Sequence, residues 1–143
     1  MRTFFKIVVV LLVVAIGLAA VGVGYVYVRK SQWRQSGGVV VRADDWVQYR
    51  LLTPAVIRDM PTPGLTGQPT HFYFCESGAI EINHVHFQTT LPRDEVMREL
   101  EPFFLQCGFT KSGPNFARGD EQLNIAYEKQ AGETWVKLFL TRK

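Results

Sequence analysis

The sequence lacks the short motifs by which most catalytic sites are recognised. It contains no G-x-S-x-G, no G-x-x-x-x-G-K-[ST] and no H-E-x-x-H, and its two cysteines do not form a C-x-x-C pair. Such motifs place a nucleophile, a phosphate-binding loop, a zinc site or a redox pair. We therefore expect a non-enzymatic protein with no catalytic residue and no cofactor. The alternative is a small enzyme of a type that these motifs do not cover.

Charge is absent from the stretch between Lys6 and Arg29. The run of residues 7–28 would reach roughly 33 Å as a helix, enough to cross a hydrocarbon core of about 30 Å. Tyr25 and Tyr27 stand at its far end, where aromatic rings favour the headgroup level. We predict an uncleaved transmembrane anchor over residues 7–28. The alternatives are a signal peptide cleaved near Ala20 and a buried core helix, for which the remaining chain is too short.

The flanks of this span decide the orientation. Basic residues lie on both sides, so the positive-inside bias nearly cancels, but long domains cross largely regardless of charge. We predict a cytoplasmic head over residues 1–6, a juxtamembrane linker over 29–41 and a soluble domain over 42–143. The domain is expected on the extracytoplasmic (periplasmic) side of an inner or plasma membrane, with the lipid bilayer as the partner of residues 7–28.

The formal net charge of +3 does not indicate a nucleic-acid partner. The basic residues around the span suit lipid headgroups, and the rest of the chain carries slightly more acidic than basic side chains. Nothing resembles the basic stripe of a nucleic-acid-binding surface. The flanking residues are Arg2, Lys6, Arg29, Lys30 and Arg34.

The domain itself shows strand and helix patterns joined by short turns. Residues 70–75 and 79–90 predict one hairpin around a turn at 76–78, and 121–129 and 133–141 predict another around 130–132. Residues 91–107 repeat apolar positions at helical spacing and end at Gly108. Short turns require antiparallel strands. We predict an α+β fold with the order β-β-α-β-β-β, in which one helix packs on an antiparallel sheet.

Two parts of this pattern are less regular. Residues 46–52 alternate like a strand that Pro54 ends, and residues 60–69, rich in proline and glycine, predict a loop outside the sheet. In the strand over 79–90, Ile80 and Ile82 share one face whereas Val85 and Phe87 share the other. Either a bulge near His84 restores a single apolar face, or both faces are buried.

Cys75 and Cys107 are the two cysteines of the chain. If the domain is exported, a disulfide between the end of a strand and the end of the helix is one expectation. Two buried free thiols, which behave as small apolar residues, are the other.

Three histidines offer a weak metal-binding pattern. Residues i and i+2 of a strand point to the same face, so His84 and His86 could approach one ion, with His71 of the neighbouring strand as a third ligand. A metal-binding module is therefore the second functional hypothesis. Hydrogen-bonded or solvated histidines on a half-exposed sheet are the alternative.

Large aromatic residues are numerous for one small sheet, and one helix can cover only one of its faces. Most of them should form the core, whereas the rest could form an exposed patch. We therefore predict a protein-binding or accessory module of the cell envelope that docks on another envelope protein.

Overall fold

The apolar N-terminal run forms one long helix, α1 (Arg2–Gln35), in the computed structural model, which describes residues 2–35, 37–76, 79–130 and 132–143. Its part Lys6–Trp33 is long and apolar enough to cross a membrane, and no residue of its most apolar stretch is buried. A cleavable signal sequence would have the same properties. Residues 29–35, predicted as part of a linker, continue this helix because no glycine or proline interrupts them before Gly37.

The chain divides into two compact units, Met1–Trp33 and Arg34–Lys143. As far as it is described, the second unit has one antiparallel sheet and three helices. The sheet has the strand order β1-β2-β3-β7-β6-β5-β4. The elements are β1 (Val39–Val41), α2 (Trp46–Leu52), α3 (Ala55–Arg58), β2 (Leu65–Glu76), β3 (Ile80–Thr89), α4 (Arg93–Gln106), β4 (Thr110–Ser112), β5 (Asn115–Arg118), β6 (Glu121–Gln130) and β7 (Glu133–Arg142).

This architecture confirms the predicted α+β class, the antiparallel sheet and the helix packed on it. The predicted order omitted the edge strands β1 and β4, which have three residues each and are too short to show a period. Because β1 belongs to the sheet, the domain begins before residue 42. Ser77, Gly78 and Ala131, in the predicted hairpin turns, lie outside the described residues.

The core lies between one face of the sheet and the helices. Val96, Leu100 and Phe104 of α4 are completely buried there, and Val56 and Ile57 of α3 join the same cluster. The sheet contributes every second residue of its central strands, as the alternation of side chains requires. These core residues are Val85, Phe87, Phe116, Leu123, Val136, Leu138 and Leu140.

The predicted strand over residues 46–52 is wrong, because the segment forms α2. The side chain of Asp45 accepts a hydrogen bond from the Gln48 backbone N–H at 3.0 Å and caps the helix. The Gln48 side chain in turn accepts from the Arg42 backbone N–H at 3.1 Å. Local capping therefore outweighs the alternating pattern.

The predicted loop over residues 60–69 is partly wrong, because β2 already begins at Leu65. Its pairing with β3 is irregular between Thr66 and Thr70, where glycine and proline stand. Strand β1 pairs only with residues 71–73 of β2. Pro69 therefore lies on a stretch of β2 without an outer neighbour, where a missing N–H costs little.

The irregular apolar pattern of β3 reflects a strand that is buried on one face and half-buried on the other. Pairing with β7 runs without interruption from Glu81 to Thr89, so there is no bulge at His84. Asn83, Val85, Phe87 and Thr89 are buried on the core side, and the residues between them are half-buried on the other side. The predicted bulge is therefore wrong, and the other alternative, burial of both faces, holds fully for the core side and only partly for the opposite side.

Candidate functional site

The sheet face opposite the core carries a group of aromatic and histidine side chains, here called the aromatic face. Of the described helices of this unit, α3 and α4 pack in the core, and Tyr49 of α2 contacts His71 on that same side. None of them covers the aromatic face. Its members are Phe72 and Phe74 of β2, His84 and His86 of β3, and Trp135 and Phe139 of β7.

Strand register places these rings in contact. Phe72, His84 and Phe139 are direct cross-strand neighbours on three adjacent strands. The His84 ring stacks on Phe139 with 4.2 Å between ring centroids and on Phe72 with 5.3 Å. We call these three residues the ring ladder. Because the rings cover one another, they are only partly exposed although no described helix of the unit covers them.

The remaining members extend the ring ladder along the strands. His86 lies edge-on to His84 at 5.4 Å and to Trp135 at 5.5 Å. Phe74 stacks on Phe72 at 6.3 Å, and its own ring lies over Gly38, where a Cβ would come within 2.6 Å of the ring. The glycine before β1 thus makes room for an aromatic ring at the sheet edge.

The aromatic face carries little net charge. Lys137, opposite His86, donates a hydrogen bond to the Glu128 carboxylate of β6, so the two charges compensate. Burial, followed by the charges of His86 and Lys137, lowers the pKa of His84 to about 4, and burial and Lys137 also lower the pKa of His86. Both imidazoles are therefore neutral near pH 7. A neutral, aromatic surface suits contact with an apolar partner better than binding of an ion.

The three histidines of the predicted metal site do not converge. The register pairs His71 with Val85, so His71 lies on the core side of the sheet, whereas His84 and His86 lie on the aromatic face. His71 is buried beside Tyr49, with its ring centroid 5.2 Å away, and burial lowers its pKa. Within the described part of the chain, no group of three His, Cys, Asp or Glu side chains could hold a metal ion.

The two cysteines are free thiols. Cys75 lies on β2, whereas the Cys107 carbonyl accepts a hydrogen bond from Arg118 of β5 at 2.5 Å. Strands β3, β7 and β6 separate β2 from β5, which at about 4.8 Å per strand places the two strands roughly 19 Å apart. A disulfide needs Cα atoms within about 7 Å. The structure therefore gives no support to a Cys75–Cys107 bond.

Two shallow depressions lie elsewhere on the domain. One of about 470 Å³ runs along α4 between Asp94 and Leu105, and another of about 380 Å³ lies between the end of β1 and residues 68–70. Neither is lined by a serine, cysteine or histidine. These depressions give no support to the alternative of an enzyme.

Sequence reasoning found the aromatic surplus but not the residues that form the surface. The register between β2, β3 and β7 determines which aromatic rings lie on the face opposite the core. This register pairs segments that are distant in sequence. The apolar residues of β3 change from one face of the strand to the other around His84. This change of face was the signal that could have located the aromatic face. The comparisons with protein-family models, curated proteins and solved structures find no match for this chain.

Proposed function

We propose that this chain is a single-pass membrane protein whose extracytoplasmic domain binds another envelope protein through the aromatic face. The observation that carries the proposal is that six aromatic or histidine side chains form one continuous, neutral surface which no described helix of the domain covers. Surfaces of this kind, with aromatic residues grouped and free charge scarce, are typical of the central part of protein interfaces.

The anchor in this proposal is the apolar part of α1. Its exposed apolar side chains, such as Leu18 and Val21, have no favourable environment in water but are at low free energy in lipid. With residues 1–6 in the cytoplasm, the domain stands on the periplasmic side of an inner or plasma membrane. The partner then lies in the envelope, and the anchor concentrates the domain near it.

Orientation and cleavage are tested together. A reporter that is active only outside the cytoplasm, fused after Lys143, should be active, and the full-length mass should be recovered from the membrane fraction. A reporter active only on the cytoplasmic side would contradict the orientation. A mature product beginning near residue 22 in the soluble fraction would show that α1 is a signal sequence and would remove the anchor from the proposal.

Binding is tested with three variants of the full-length chain in gently solubilised membranes. Phe74→Ser and Trp135→Ser each remove a ring of the aromatic face, and Leu105→Ser removes a more exposed apolar side chain from α4 as a control. Phe74 is 36% exposed, so a partner that covers the rest of its surface adds roughly a third of the about 1.5–3 kcal/mol of a fully buried ring, and each face variant should lose about two- to fivefold in recovered partner. Unchanged recovery with both face variants, in protein of native thermal stability, would contradict the proposal.

A further inference from the structure

The position of His84 within the ring ladder suggests a response to acid. Phe72 covers one side of the imidazole and Phe139 covers the other, at centroid distances of 5.3 and 4.2 Å. The Nε2 atom of His84 is buried and has no hydrogen-bond partner. A protonated imidazole carries a donor on each ring nitrogen and requires a solvated or hydrogen-bonded site. The ring ladder offers the Nε2 atom of His84 neither, so its geometry favours the neutral ring.

The charged and titratable groups around His84 also oppose its protonation. From its own strand the neighbour is His86, from β7 it is Lys137, and β2 presents the uncharged Thr70, Phe72 and Phe74 beside it. From β6, Glu128 reaches this face, but it is already paired with Lys137. Glu76 of β2 lies four residues beyond Phe72, about 13 Å away along the strand. A proton on His84 would thus add a positive charge beside two basic groups.

We propose that His84 is an acid-sensitive latch of the aromatic face: protonation of its ring expels it from between Phe72 and Phe139 and opens the ring ladder. The closed form takes up the proton only in more acidic solution, whereas the open form takes it up at the ordinary pKa of histidine, near 6.5. The population of the closed form is therefore highest above about pH 6.5. It decreases relative to the open form as the pH falls toward 4, where His84 titrates in the closed form.

For one proton, the ratio of open to closed forms can rise at most about tenfold for each unit of pH in this window. The latch concerns the domain without its partner, so it does not depend on the proposed binding function. The experiment below uses no partner, and its failure would leave the binding proposal untouched.

The test uses the full-length chain in lipid nanodiscs, labelled with fluorotryptophan and with isotopes in histidine. Wild-type protein should show a reversible change of the Trp135 fluorine signal between pH 6.5 and 4, with a matching titration of the His84 ring. His84→Phe keeps an aromatic ring in the stack but cannot take up a proton, so it should reduce the Trp135 change to the part that comes from the neighbouring His86, 5.5 Å from Trp135. His71→Gln alters a histidine on the opposite side of the sheet and should retain that change.

Two results would overturn the proposal. One is a Trp135 change of the same midpoint and amplitude in His84→Phe and in wild type. The other, read from wild type alone and valid even if a variant fails to fold, is a His84 ring that titrates near 6.5 while the Trp135 signal stays constant.

Discussion

Glu121 at the start of β6 offers a sharp test of how the domain is held together. Its side chain is only 5% exposed, and it accepts hydrogen bonds from Arg118 at 2.6 and 2.9 Å and from Arg142. Arg118 also donates to the Cys107 carbonyl and lies over the Phe109 ring at 4.4 Å. One carboxylate thus joins β5, β6, β7 and the end of α4.

Replacing Glu121 by Gln keeps the shape but removes the charge. Losing one partner of a buried ion pair costs about 3–5 kcal/mol, but both arginines are about half exposed and regain water. The amide oxygen also keeps one hydrogen bond. We therefore expect a loss of about 2 kcal/mol, which lowers the midpoint of thermal unfolding by roughly 8–16 °C for a domain of this size.

The pH dependence provides a second check on Glu121. Burial opposes its ionisation, but the hydrogen bonds from Arg142 and Arg118 outweigh burial, so the net effect lowers the pKa below its ordinary value of 4.5. Because the pKa of Glu121 is lower in the folded than in the unfolded protein, its ionised carboxylate contributes its full stabilisation at pH values above the unfolded pKa. This contribution to the free energy of unfolding is lost as the pH falls through the folded pKa. The difference between wild type and Glu121→Gln should therefore be constant above about pH 6 and shrink below about pH 4.

The assay is thermal unfolding of the full-length chain, followed by near-ultraviolet circular dichroism from pH 3 to 8. Glu128→Gln serves as the control, because Glu128 is 52% exposed and forms one surface pair with Lys137. It should cost at most about 1 kcal/mol. Equal midpoints of Glu121→Gln and wild type at pH 7, or a difference that does not change with pH, would refute the reasoning.

Three further predictions concern the core, the turns and the thiols. Phe104→Ala should lower the free energy of unfolding in denaturant by about 3–5 kcal/mol, because Phe104 is fully buried against Phe109 and Phe116. Replacing the exposed neighbour Leu105 by Ala should change it by at most about 0.5 kcal/mol. Similar values for the two variants would contradict the core assignment. Gly64→Ala should destabilise more than Gly113→Ala in the same assay: both have positive φ, but only at Gly64 would a Cβ lie 2.6 Å from Leu91 and 2.7 Å from the Thr89 hydroxyl. In full-length protein purified without reductant and then unfolded, both Cys75 and Cys107 should react with a thiol reagent; a protected pair with the mass of a disulfide would show that the native fold differs from this one.

Much of the fold was predictable because local signals agreed with one another. The uncharged run, the helix ending before Gly108 and the two antiparallel strand pairs, β2 with β3 and β6 with β7, each carry their own pattern, and the structure has all of them. The segment over 46–52 shows the limit of this approach. The alternation of its residues favours a strand, whereas the cap formed by the Asp45 side chain on the Gln48 backbone N–H favours a helix. The periodicity of the sequence does not show which of these two effects is stronger.

The candidate site depended on information that no single segment contains. His71, His84 and His86 could be grouped as metal ligands only until the register between β2 and β3 was known. The register between β3 and β7 brings Phe139, more than fifty residues away in sequence, against His84. Residue types predicted that an aromatic patch could exist, but strand pairing decided which rings form it.

The central claim is that the aromatic face contacts a partner protein in the native membrane. The most direct measurement places a photoreactive amino acid at position 74 on the aromatic face or at position 105 on α4, both on exposed side chains, in otherwise wild-type cells. Illumination should yield one discrete protein adduct from position 74 and none from position 105. Adducts of equal yield from both positions, or none from position 74, would contradict the account.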